Sequence, residues 1–253
     1  MTPEERFVFD LEGYLVVKNV LSGEEIAELN EIVDRRLAEE KDRDPGLKVP
    51  RLVSQWGRPF QNLFDHPNIT PYLVSLIGAK FRADQDYGIF MRKGAEKGRL
   101  HGHEWQTTHT YHFRDGVMLN GLIVVVYFLA PSPKGAGGFA CIPGSHKSNF
   151  APADLPDDVR YFKRIPHYVV NPEADAGDAL IFTEACIHGT LPWAVDEDRR
   201  TLLYKFSPGH SASSSPYYNQ DDYDGLTDQQ KRVLDPPFVG RAKEPRQDSL
   251  DAT

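Results

Sequence analysis

The sequence predicts a mainly β, antiparallel fold with helices gathered at its N-terminal end. Three observations carry this. Short runs rich in β-branched and aromatic residues, among them "KFRADQDYGIFMRK", "NGLIVVVYFLA", "GGFACIPGSH" and "RRTLLYKFS", follow one another between residues 80 and 210. Gly, Pro and Asp separate these runs, as expected for an antiparallel sandwich or barrel. Clear helical periodicity, by contrast, is concentrated before residue 80.

The elements follow in order. "FVFDLEGYLVV" reads as a short helix that turns at Gly13 into a strand from Tyr14 to Val17. "SGEEIAELNEIVDRRLAEE" is a helix with Ser22 as its cap and Glu25 completing a capping box. Its apolar stripe is Ile26, Leu29, Val33 and Leu37. "HPNITPYLVSLIG" is a second helix, begun near His66 and ended by Gly78. The β runs come next, then a late helix in "LTDQQKRVLDPP" stopped by prolines, then a polar tail. We expect one domain over residues 1–253, with N-terminal helices over 1–79, a core over about 80–210 and a C-terminal segment over 211–253. The Ser- and Tyr-rich run "SASSSPYYNQDDYDG" reads as a surface loop, with a lid over a pocket mouth as the alternative.

Composition narrows the function classes. The chain has 253 residues, of which 40% are hydrophobic and 26% charged, ordinary for a soluble globular protein. Its net charge of −8 argues against nucleic acid or an anionic membrane as a partner, since both select basic patches. The N-terminus carries acids early and no long apolar run, so neither a secretory leader nor a spanning segment is expected. Two cysteines make no disulfide framework, which points to the cytoplasm. The expected partner is a small-molecule substrate; oligomeric state is not legible.

Chemistry concentrates in "RLHGHEWQTTHTYHF", residues 99–113, which holds His101, His103, His109 and His112. Histidines at alternating strand positions point their rings to one side and so suit a metal ion. His146, in "PGSHK", reads instead as part of a turn.

Three phrases in sequence are specific. "GYLVVKNVLSGEEIAELNEIV", "GGFACIPGSHKSNF" and "AGDALIFTEACIHGTLPW", the last followed by "RRTLLYKFSPGH", resemble the phytanoyl-CoA dioxygenase-like family. The resemblance runs from Phe7 to His210. It implies a double-stranded β-helix, or jelly roll. It also implies an Fe(II)- and 2-oxoglutarate-dependent dioxygenase of hydroxylase type, acting on a small molecule that the sequence does not name. In the family, a first histidine opens a His-x-Asp (or Glu) pair, a second follows a Gly-Asp strand, and an arginine about eleven residues later grips the cosubstrate. Carried over, these positions are His101, His188 and Arg199. Arg200 is adjacent, and on a strand only one of the two can face the site. Thr190 is a candidate for the cosubstrate, and Tyr111, His112 and Trp193 for the substrate pocket.

The chain departs from the pattern at the carboxylate. No histidine in the sequence is followed two residues later by Asp or Glu. A bacterial branch similar to this chain also lacks that acid. Four readings stay open. His103 completes a three-histidine face; Glu184 or Glu104 brings the carboxylate from elsewhere; the position holds no protein ligand; or no metal binds at all. Two alternatives to the oxygenase accompany them, a three-histidine zinc hydrolase or hydratase and a metal-free binding shell.

Overall fold

The computed structural model describes residues 1–39, 46–102 and 110–238. His103, Glu104 and His109 fall outside the described residues.

Thr2 caps helix α1 (Pro3–Glu12), which ends at Gly13 and leads into β1 (Tyr14–Val17). The expected capping box opens α2 (Gly23–Glu39): Glu25 donates its backbone N–H to Ser22 Oγ, and Ser22 N–H donates to the Glu25 carboxylate. Then come β2 (Leu47–Lys48), a one-turn α3 (Arg58–Gln61) and α4 (Thr70–Ile77), with Gly78 after it. The strands β3 (Arg82–Met91), β4 (Lys97–His101), β5 (Tyr111–Arg114), β6 (Val117–Asn120), β7 (Ile123–Phe128) and β8 (Gly138–Cys141) follow. After α5 (Asp157–Arg160) the chain makes β9 (Ala179–Thr183), β10 (His188–Leu191) and β11 (Arg199–Ser207), and closes on α6 (Asp228–Val233).

Six strands form one antiparallel sheet in the order β1-β9-β7-β11-β3-β2. β4-β10-β8 form a second sheet, and β5-β6 a hairpin. This is a jelly roll. Its edge strands β1 and β2 come from the first 79 residues, so the N-terminal region supplies part of the sheet as well as helices. Period-two alternation assigns the faces. Ile89, Val124, Val126, Leu180, Phe182 and Leu203 turn inward and pack with Phe139 and Cys141 of the smaller sheet. Val125, Tyr127, Ile181, Leu202, Tyr204 and Phe206 turn outward under Phe9, Leu29, Val33, Leu73 and Leu76 of the helices. With both faces covered, β7 is buried at every position, which explains its unbroken apolar run.

The segment after β11 is a largely exposed surface loop, and it is tied down. Ser213 and Ser214 donate their backbone N–H groups to the buried Asp84 carboxylate, and Tyr218 donates its hydroxyl to buried Asp86. Both aspartates lie on β3, so the run is a strap tied to the barrel wall.

Candidate active site

Strand pairing brings the two histidines together. β4 and β10 run antiparallel with His101 directly opposite His188, and their rings lie 4.3 Å apart between centroids. Each ring is oriented through its Nδ1. His188 Nδ1 lies 2.8 Å from the Cys186 carbonyl and His101 Nδ1 lies 2.9 Å from the Arg99 carbonyl. A carbonyl only accepts, so each Nδ1 carries the proton; in the neutral ring the lone pair is then on Nε2, the tautomer of a metal-ligating histidine. Burial also holds His188 neutral. It lowers the imidazole to about 3, Glu184 opposing the effect and His101 adding to it.

Gly102 makes this approach possible. Its φ is +101°, and a Cβ there would stand 2.5 Å from the Cys186 carbonyl oxygen and 3.1 Å from His188 Nδ1. Only glycine lets β4 end this close to the turn before β10.

Arg199 faces the same interior. On β11, Arg199, Thr201, Leu203 and Lys205 alternate with Arg200, Leu202, Tyr204 and Phe206. Arg199 is 3% exposed, and its Nη1 donates to the Met91 thioether at 3.4 Å. Among the described residues no carboxylate pairs with it. Burial lowers the guanidinium to about 10, with Tyr87 opposing the shift, so it stays charged at neutral pH. Gly138, at φ +77°, gives it room: a Cβ there would lie 3.2 Å from Arg199 Nε. Arg200 points the other way, to Asn30 and Asp34 of α2.

Two further groups complete the interior. Glu184, 2% exposed, presents Oε2 to His188 Nε2 at 3.8 Å and accepts from the Lys205 ammonium through Oε1. Burial by itself would lower Lys205, but Glu184 and Tyr87 outweigh it and the ammonium is held above its ordinary range. Tyr87 lies between the cations, its ring 5.8 Å from Lys205 Nζ. Sequence reasoning named Glu184 but passed over Lys205. The signal was there, since Lys205 lies six residues after Arg199 on one strand and so shares its face.

The remaining candidates are placed as follows. Thr190 lies two residues after His188 on β10, on the same face. Trp193 is buried among the inward apolar residues and donates its indole N–H to the Glu197 carbonyl, a packing role. Tyr111 departs from the pocket expectation. Its hydroxyl donates to Asp10 of α1 and its ring meets His146, because the hairpin folds against the N-terminal helix. His112 is exposed on that hairpin, opposite Leu119. His146 is buried in a short turn and bonds the Asp10 carbonyl, as its motif suggested. Among the described residues, no three histidine, cysteine or carboxylate side chains are gathered closely enough to hold an ion as they stand.

The family model for phytanoyl-CoA dioxygenase (PhyH) matches residues 9–201. The chain belongs to the phytanoyl-CoA dioxygenase family. Solved structures share its fold. HygX from Streptomyces hygroscopicus, with nickel and 2-oxoglutarate bound, superposes with a TM-score of 0.76 at 19% identity, over 85% of this chain and 90% of that one. HygX with iron bound gives 0.73 at 19% identity, over the same shares. The non-heme α-ketoglutarate-dependent epimerase SnoN from nogalamycin biosynthesis gives 0.65 at 18% identity, over 96% and 94%. No curated protein matches the sequence significantly. No helix among the described residues is long and apolar enough to cross a membrane.

Proposed function

We propose that this family member is an Fe(II)- and 2-oxoglutarate-dependent oxygenase of hydroxylase type, acting on a small molecule. The observation that carries the reading is Arg199. A buried guanidinium with a thioether as its hydrogen-bond partner is costly unless an anion arrives. It shares the barrel with His188, against which the exposed His101 ring lies, and the Nδ1 atoms of both are already engaged; a dicarboxylate spanning from metal to arginine answers these features. The donor set fits such a group, because neutral imidazole suits iron. That HygX was solved with iron or with nickel and 2-oxoglutarate, and that SnoN is α-ketoglutarate-dependent, supports the same reading.

His101 and His188 would hold the iron through Nε2. Arg199 would grip the far carboxylate of 2-oxoglutarate with two parallel hydrogen bonds, which fixes the cosubstrate's direction. When bound, the metal and cosubstrate supply oxygen activation and the oxidation of a substrate C–H bond. The protein orients these groups and excludes water. Phe139 and Phe182 pack beside His188, at 6.2 and 4.6 Å between ring centroids, and keep that side of the site apolar. Thr190 stands on the His188 face, where its hydroxyl can donate to the cosubstrate.

Three-histidine zinc hydrolysis gives Arg199 no task. The test is succinate formation from 2-oxoglutarate under air. We expect it with Fe(II) and not with Zn(II), and expect it to fall sharply in His188→Ala. Failure of the Fe(II)-loaded protein to form succinate, either alone or across a panel of small-molecule substrates, would count against an oxygenase.

A further inference from the structure

The chain has no acid two residues after His101, yet a buried carboxylate stands beside His188. We propose that Glu184, anchored by Lys205, supplies the anionic ligand of the metal site. This inference rests on the reading of His101 and His188 as iron ligands.

Orientation is the first ground. The His188 Nδ1–H is spent on the Cys186 carbonyl, so Nε2 presents a lone pair, and Glu184 Oε2 faces it at 3.8 Å. That separation is too long for a hydrogen bond. Two ligands on one ion, each bonded at about 2.1 Å, stand roughly 3 Å apart, so a cation between them needs only a small closure. An ion between two facing lone pairs turns a repulsive arrangement into an attractive one.

Backbone shape is the second ground. β9 ends at Thr183, and the chain turns there, with Cys186 N–H donating to the Thr183 carbonyl. Glu184 sits just past the strand, its own N–H held by the Leu122 carbonyl, and continues the alternation of the inward Leu180 and Phe182, so its buried side chain points into the barrel. Glu184 and His188 thus flank one tight turn, and Gly102 lies against its carbonyls.

Lys205 is the third. It takes Oε1, and Oε2 lies on the histidine side. The ammonium, 12% exposed, holds the carboxylate in position. Lys205 is therefore a positioning residue, and Glu184 the ligand.

Anaerobic titration with Co(II), whose visible bands report its ligands, separates this from a plain ion pair. The full chain is compared with Glu184→Gln, with Glu184→Gln/Lys205→Met, which removes both charges and leaves no stranded ammonium, and with His188→Ala. We expect both Glu184 variants to bind Co(II) at least about tenfold more weakly and with an altered spectrum, since even residues that only support a ligand cost that much. Wild-type spectrum and affinity within about threefold in the folded double variant, with His188→Ala losing metal, would overturn the role of Glu184 and leave the iron reading intact. Undiminished binding in His188→Ala would instead overturn the iron reading, and this proposal with it. Metal loss in an added His103→Ala variant but not in the Glu184 variants would overturn the role of Glu184 and return the third position to residue 103.

Discussion

Arg199 and Arg200 are neighbours in sequence and opposites in setting. Arg199 lies in the barrel with Met91 as its hydrogen-bond partner, whereas Arg200 pairs with Asp34 and Asn30 at the surface of α2. Arg199→Ala should weaken 2-oxoglutarate binding to the anaerobic Fe(II) protein by on the order of 2–5 kcal/mol, the cost of losing one partner of a desolvated charge pair. Arg200→Ala should leave that affinity unchanged, because its partners are on the far side of the sheet. Calorimetric titration of 2-oxoglutarate decides, and the reverse pattern would move the cosubstrate to the other face. The choice between the arginines was legible from spacing and strand alternation. Lys205 was legible by the same rule. Which oxygen of Glu184 faces His188 was not, because it depends on a turn between β9 and β10 that residue types do not specify.

At the scale of elements, the "GDALIF" strand owes its place to an aspartate with no direct part in the chemistry. Asp178 is buried; it accepts from Asn19 N–H at 3.0 Å and Asp175 N–H at 2.7 Å, and pairs with the Lys18 ammonium. It thereby pins the loop after β1 to the start of β9, and β1 lies along β9 at the sheet edge. Burial alone would raise this carboxyl, but Lys18 and the backbone donors outweigh it and hold it below the ordinary 3.8. A carboxyl with a depressed folded-state value contributes stability above the unfolded value and loses it as pH falls through the folded one. Asp178→Asn should therefore cost about 1–3 kcal/mol at neutral pH, with the difference shrinking once the pH drops below the ordinary aspartate range. Urea unfolding of both proteins across that range checks it, and a pH-independent difference would show that the amide fails for reasons of shape. Helix caps and strand positions were readable from local sequence because caps and turns are local chemistry. The joining of β1 to β9 and of β2 to β3 was not, since pairing between strands far apart in the chain leaves no local mark.

For the whole molecule, the order of helices and strands predicted a β sandwich, and the quoted motifs identified the jelly roll. The reason is physical: a sheet covered on both faces writes continuous apolar runs such as "IVVVYF", and turns between strands write Gly, Pro and Asp. Tyr111 shows where such reading stops. It lies within the histidine-rich stretch, yet the β5–β6 hairpin carries it to the N-terminal helix and its hydroxyl serves Asp10. The same chain-wide packing buries His188 and Arg199, from two separate strands, in the barrel and sets the exposed His101 ring against His188, and the proposed function depends on that arrangement. Its most direct test is the visible charge-transfer absorption that 2-oxoglutarate gives when it chelates Fe(II), followed anaerobically. We expect one equivalent of each to develop the band in the native chain, its midpoint to move to higher cosubstrate concentration in Arg199→Ala, and no band in His188→Ala. Absence of the band from the native chain at saturating Fe(II) and 2-oxoglutarate, or its persistence in His188→Ala, would contradict the assignment.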